Sequence, residues 1–166
     1  PDDSAGFMVS LNTARRGVDE LRLGQPGRDF KLAEDLTLEH FPEGGNALVL
    51  GATGGIGGAV VDELLDSPRF GQVIAVSRRA RTDERLSARA EQAGERMRRL
   101  ELDITDEAAV AQAFGDLAQA TDRLHLIFNA AGALHGPQMK PEKRLEDVTL
   151  AQLQASFQLN AFAPLL

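Results

Sequence analysis

From Asn46 onward the hydrophobic positions fall into two alternating textures. The run ALVLG at 47–51 is continuously apolar, which predicts a strand buried on both faces. It is followed at 54–67 by GGIGGAVVDELLDS, where Ile56, Val60, Val61, Leu64 and Leu65 recur at helical spacing before Ser67-Pro68 supplies a stop. QVIAVS at 72–77 predicts a second strand, and the polar stretch 83–94 a helix ending on Gly94. MRRLELDI at 97–104 alternates Leu100, Leu102 and Ile104 as a third strand does. Thr105 or Asp106 then caps an amphipathic helix over 107–120. LHLIFNAAG at 124–132 predicts a fourth strand with its exit, and a long apolar-faced helix begins after Thr149 and runs toward Leu166. Strand and helix alternate throughout, so the expected fold class is α/β: a doubly wound parallel sheet (Rossmann fold), truncated after about four strands.

Residues 1–45 have a different texture, polar, charged and interrupted by Gly and Pro, with short apolar clusters such as Leu36, Leu38 and Phe41. They are expected to be an irregular N-terminal extension, with Met8 a candidate original start, while 46–166 form the Rossmann domain. The chain has 166 residues, a length that suits one domain better than two. Its composition, 43% hydrophobic and 26% charged, is that of an ordinary soluble globular protein. The net charge of −7 argues against nonspecific nucleic-acid binding, although a local basic patch can still hold one phosphate. The chain has no cysteine, which excludes disulfides and thiolate metal sites; His40, His125 and His135 lack paired spacing, and no metal is expected. With no apolar run of transmembrane length and no signal-peptide pattern, no membrane association is expected and the default location is cytoplasmic.

The candidate chemistry starts at the first strand-to-helix turn. A helix that begins directly after a strand directs its free N–H groups and the positive end of its dipole at whatever sits above the sheet, and an anion belongs there. A pyrophosphate can approach only if the turn is bare and tolerates positive φ. Gly51, Gly55 and Gly57 meet those needs, with Gly54 and Gly58 adding room and Thr53 in the same loop. The second strand ends in Ser77-Arg78-Arg79, twenty residues after Gly57. In a Rossmann unit a carboxylate at that place binds the ribose 2′-OH and an arginine accommodates a 2′-phosphate. No carboxylate occupies 76–82, and arginines stand at 78, 79 and 81, so the expected cofactor is NADP(H) rather than NAD.

With these motifs in order, residues 46–166 resemble the short-chain dehydrogenase/reductase family. GATGGIG at 51–57 is similar to the family's nucleotide loop, with Leu50 where many members have threonine. LDITD at 102–106 resembles the segment in which Asp103 would bond the adenine amino group and Ile104 pack on the ring. NAAG, Asn129-Ala130-Ala131-Gly132, resembles the signature that shapes the cofactor floor. SFQLNAFAP at 156–164 resembles the helix whose asparagine, Asn160 here, takes part in a proton relay, and 131–149 resembles the C-factor-like branch. The resemblance implies hydride transfer between NADP(H) and a carbonyl or secondary alcohol, and a homo-oligomer where the full domain is present. It also implies a catalytic serine and a tyrosine whose pKa of about 10 is lowered by a lysine. The chain contains no tyrosine, so the Tyr-x-x-x-Lys motif is absent and the 166 residues are expected to be inactive alone. They read as the front half of a longer reductase; a noncatalytic nucleotide-binding or signalling module and an assembly fragment remain the alternatives. Substrate and reaction direction lie beyond these residues.

Overall fold

The computed structural model describes residues 38–133 and 144–166, together with the backbone of a two-residue strand at 7–8. The remainder of the segment expected to be irregular, and most of the C-factor-like run with His135, lie outside the described residues. The strands are β1 (Phe7–Met8), β2 (Gly45–Leu50), β3 (Phe70–Ser77), β4 (Met97–Glu101) and β5 (Leu126–Asn129). They form one parallel sheet in the order β1-β5-β2-β3-β4. The helices are α1 (Gly55–Asp66), α2 (Glu84–Ala93), α3 (Glu107–Ala120) and α4 (Leu150–Phe157).

The continuous apolar run in β2 is explained by two cores. Ala47 and Val49 point to the face covered by α1 and α2, where they pack with Val61, Leu64, Val73, Ala75 and Leu86. Leu48 and Leu50 point to the opposite face, with Ile74, Val76 and the α3 residues Val110 and Leu117. Successive side chains alternate in a strand, so a strand covered on both sides has no polar position to spare. The sheet is therefore doubly wound, as expected.

Three differences from the sequence reading have local causes. The predicted extension contributes β1, which pairs in parallel with Leu126 and Ile127, so the described sheet has five strands rather than four. β4 stops at Glu101 rather than at Ile104 because Asp103 turns the chain: its side chain accepts from Thr105 N at 3.0 Å. Of the two caps that the sequence offers for α3, Thr105 and Asp106, Asp106 serves, accepting from Ala109 N at 3.0 Å. The long final helix is α-helical only to Phe157, continues as a π-helical turn over Gln158–Phe162 and closes with a short 3-10 turn over Ala163–Leu165. Pro164 has no N–H and its ring would meet the Asn160 carbonyl four residues back; the wider turn, with Ala163 N donating to Gln158 O, avoids that conflict. No helix among the described residues is long and apolar enough to cross a membrane.

Candidate functional site

The order of strands changes direction between β2 and β5: β3 and β4 lie to one side of β2, and β5 to the other. In open α/β sheets ligands bind at the carboxyl ends of the strands where this happens. A cleft lies there, lined by Gly51, Thr53, Gly54, Val76, Ser77, Arg78, Arg79, Leu102, Asp103, Ile104, Ala130, Ala131, Gly132 and Leu159.

Packing fixes the glycine turn. Gly51 has φ +78°, and a Cβ there would lie 2.7 Å from the backbone of Ala130 and Ala131. A Cβ on Gly57 would collide with the Gly51 carbonyl oxygen, so α1 and the end of β2 can approach only as glycines. The turn is pinned to β3: Gly51 N and Ala52 N both donate to Val76 O, at 2.9 and 3.1 Å, and Gly54 N donates back to Gly51 O at 2.9 Å. Gly55 is different, since a Cβ there would meet nothing within 4 Å. α1 begins at this open position with no side-chain cap and no acidic residue in its first turn. Its first N–H groups and the positive end of its dipole are left for a ligand.

The basic lip stands at the end of β3. Ser77 is buried; its Oγ accepts from Arg79 N at 3.2 Å, and its carbonyl accepts from Ala80 N at 3.3 Å and Leu102 N at 3.1 Å. Ala80 is fully buried below, so Arg78 and Arg79 stand exposed on a short anchored loop. Across the cleft, Asp103 Oδ1 accepts from Thr105 N at 3.0 Å and Thr105 Oγ1 at 2.7 Å. Those two hydrogen bonds, with help from the Arg78 charge and against a smaller opposing effect of burial, hold the Asp103 carboxyl below the usual aspartate value. Asp103 thus shapes its turn and lines the cleft at once.

The floor is set by two asparagines. Asn129 ends β5 and accepts from Ala131 N at 2.9 Å through Oδ1. Asn160, in the π-helical turn, accepts from Ala133 N and donates to Ala133 O, both at 2.9 Å, with a longer bond to Ser156 Oγ at 3.3 Å. This two-point bond ties the final helical segment to the exit of β5. Asn129 and Asn160 shape the cleft through the backbone rather than lining it, and Gly55, Ile56 and Gly57 stand beside it. The sequence reading did not include Val76, Leu102 and Leu159. Val76 and Leu102 carried a signal, apolar positions on the core face beside a strand's end, Val76 just inside β3 and Leu102 just past β4; Leu159 carried none. His125 accepts from Asn46 N at 2.9 Å through Nδ1, far along the strand from this end. Among the described residues no group of three or more His, Asp and Glu side chains comes together as a metal site.

A dinucleotide fits what is present: an uncapped helix start beside a turn with no side chains for the pyrophosphate, guanidinium groups for a further phosphate, and an apolar and carboxylate wall for a base. A family model described as short chain dehydrogenase matches residues 45–166. A carbonyl reductase from Pseudomonas aeruginosa PAO1 is similar in structure, with a TM-score of 0.62 and 31% identity over 73% of this chain and 52% of that one. Its complex with NADP gives the same TM-score and identity, over 73% and 51%. A short-chain dehydrogenase from Streptomyces avermitilis matches with a TM-score of 0.62 and 26% identity, over 73% of this chain and 41% of the other. By sequence, 28% identity over 122 residues relates the chain to a protein of Mycobacterium tuberculosis whose name reads "Putative inactive phenolphthiocerol synthesis polyketide synthase type I", covering 70% of this chain and 8% of that protein. The chain spans about half the length of the carbonyl reductase it matches.

Proposed function

The chain belongs to the short-chain dehydrogenase family, and from that premise we propose that residues 46–166 are the NADP(H)-binding half of an oxidoreductase that acts on a carbonyl or secondary alcohol. The observation that carries the reading is one arrangement: an uncapped glycine-lined helix start and, on the same cleft, exposed Arg78 and Arg79 with no carboxylate between Val76 and Thr82. In this reading the first-turn N–H groups of Gly55, Ile56 and Gly57 hold the pyrophosphate, with Gly51, Thr53 and Gly54 giving it room. Ser77, Arg78 and Arg79 receive the 2′-phosphate, where planar guanidinium groups offer paired donors. Asp103 accepts from the adenine amino group, being a carboxylate at neutral pH as any aspartate of ordinary or lowered pKa is, while Ile104 packs on the ring. Ala130, Ala131 and Gly132 form the floor, which Asn129 shapes through its bond to Ala131 N, and Asn160 is assigned the family's relay position. NADP(H), when bound, supplies or accepts the hydride. The NADP complex of the similar carbonyl reductase supports this cofactor choice.

The general acid/base is not among these residues, because the chain has no tyrosine. The same absence favours a second reading, a noncatalytic nucleotide-binding module. Both readings predict binding, but only the first predicts carbonyl turnover once the cleft is joined to a general acid/base. The binding claim is tested by titrating NADPH and NADH into the 166-residue chain; the protein has no tryptophan, so the reduced nicotinamide's own emission reports binding. NADPH is expected to bind at least about tenfold more tightly than NADH, and Arg78→Ala to erase the difference. Equal affinity of the unmodified chain for both would overturn the assignment of 77–79.

A further inference from the structure

Arg99 sits in β4 opposite Ala75 of β3, on the sheet face that carries α2. A cation partly buried on such a face ordinarily finds a carboxylate. Here its guanidinium binds neutral oxygens: Nη1 donates to Ser87 Oγ of α2 at 2.7 Å and to the backbone carbonyl of Arg81 at 3.3 Å. Ser87 Oγ donates in turn to Asp83 O at 2.8 Å, and Asp83 N donates to Arg79 O at 2.9 Å. These bonds converge on the far end of the loop 78–82, whose near end is held by Ser77 Oγ on Arg79 N and by buried Ala80. Arg78 and Arg79 are therefore displayed on a turn clamped from both sides, and Arg99 is the part of the clamp that reaches over from the next strand.

We propose that Arg99, acting with Ser87, is a positioning residue for cofactor specificity: it holds the Arg81 carbonyl so that the loop presents Arg78 and Arg79 to the 2′-phosphate, without touching the cofactor itself. The proposal rests on the reading of 77–79 as a 2′-phosphate site. A charge-assisted donor on a backbone carbonyl helps to fix a turn, and a turn whose backbone is fixed before binding spares the cost of ordering that backbone when the ligand arrives. Because the clamp acts only on the arginine loop and not on the glycine turn, its loss is felt by the cofactor that carries the extra phosphate.

The test compares NADPH and NADH affinities of the 166-residue chain with those of Arg99→Met, Arg99→Lys, Ser87→Ala and Arg78→Ala, each with its melting temperature. Arg99→Met is expected to weaken NADPH by about tenfold and to leave NADH within about twofold. Ser87→Ala should move the ratio in the same direction by less, and Arg99→Lys, which keeps one donor, should restore part of it. Should Arg99→Met fail to fold, the Ser87→Ala and Arg99→Lys ratios decide. If Arg78→Ala collapses the NADPH preference while the Arg99 and Ser87 variants leave it intact or weaken both cofactors equally, Arg99 is structural and the proposal is overturned alone. If Arg78→Ala also leaves the preference intact, the 2′-phosphate reading fails and takes the proposal with it.

Discussion

Gly51 and Gly57 are glycines because backbone lies where a side chain would be; Gly55 is not, since the space above it is open. The difference makes a test at single-residue resolution. Gly57→Ala forces α1 away from β2 and should destabilise the chain by about 2 kcal/mol or more, read as a lower urea midpoint. Gly55→Ala should keep or raise stability, by up to about 1 kcal/mol, because it removes backbone freedom from the unfolded chain at a position with ordinary φ. Yet it should weaken NADPH at least about tenfold, because its methyl group occupies the open position beside the helix start. Asp103 gives a second test. Its carboxyl is held low, first by the Thr105 N–H and then by the Thr105 hydroxyl, so it adds stability at pH values above the ordinary aspartate pKa of about 3.9, and that stability is lost as the pH falls through the lower folded value. Denaturant unfolding should therefore show a smaller loss between about pH 5 and pH 3 for Asp103→Asn than for the unmodified chain. At this scale the site was legible wherever a residue's chemistry is unusual for its place, as with clustered glycines in a turn or arginines at a strand end. Arg99 and Leu159 were not, since a strand arginine and a helix leucine mean nothing until the neighbouring elements are placed.

Each element's persistence depends on what it buries. β2 and β3 bury nearly every side chain, and Leu48 and Ile74 are fully inaccessible; Leu48→Ala should cost about 2 to 5 kcal/mol. α4 buries none of its residues and is held instead by a capping box, in which Thr149 and Gln152 bond each other's backbone, and by Asn160 on Ala133. Its amides should exchange with solvent much faster than those of β2 and β3, and Asn160→Ala should speed them further while leaving the strand amides unchanged. The pattern of apolar runs, alternation, helical spacing and a terminal glycine located each of the longer strands and helices, because buried strands, half-buried strands and helices leave different traces over a few residues. It misplaced ends where a side chain intervenes, as with Asp103 at the end of β4, and where a proline conflicts with the helix, as with Pro164. β1 was illegible for a simpler reason: two residues carry no period.

For the molecule as a whole, the pattern of alternation gave a parallel sheet, but the order β1-β5-β2-β3-β4, which creates the cleft, comes from pairings between distant segments. The same topology leaves Leu145, Leu150, Phe157, Phe162 and Leu165 at least half exposed, a dense apolar surface for so short a stretch. This 166-residue chain should accordingly bind an apolar dye such as anilinonaphthalene sulfonate in its native state, and Phe157→Ser with Leu150→Gln should reduce that signal without shifting the NADPH titration. The central claim, that the strand-turn-helix glycine loop and the arginine lip form one dinucleotide site, is tested most directly by following backbone amide resonances during an NADPH titration. The account predicts saturable shifts concentrated at Gly54 to Gly57, at Arg78 and Arg79 and at Asp103 and Ile104, with NADH sparing the arginine loop. Shifts confined to other surfaces, or a spectrum that NADPH leaves unchanged, would contradict it.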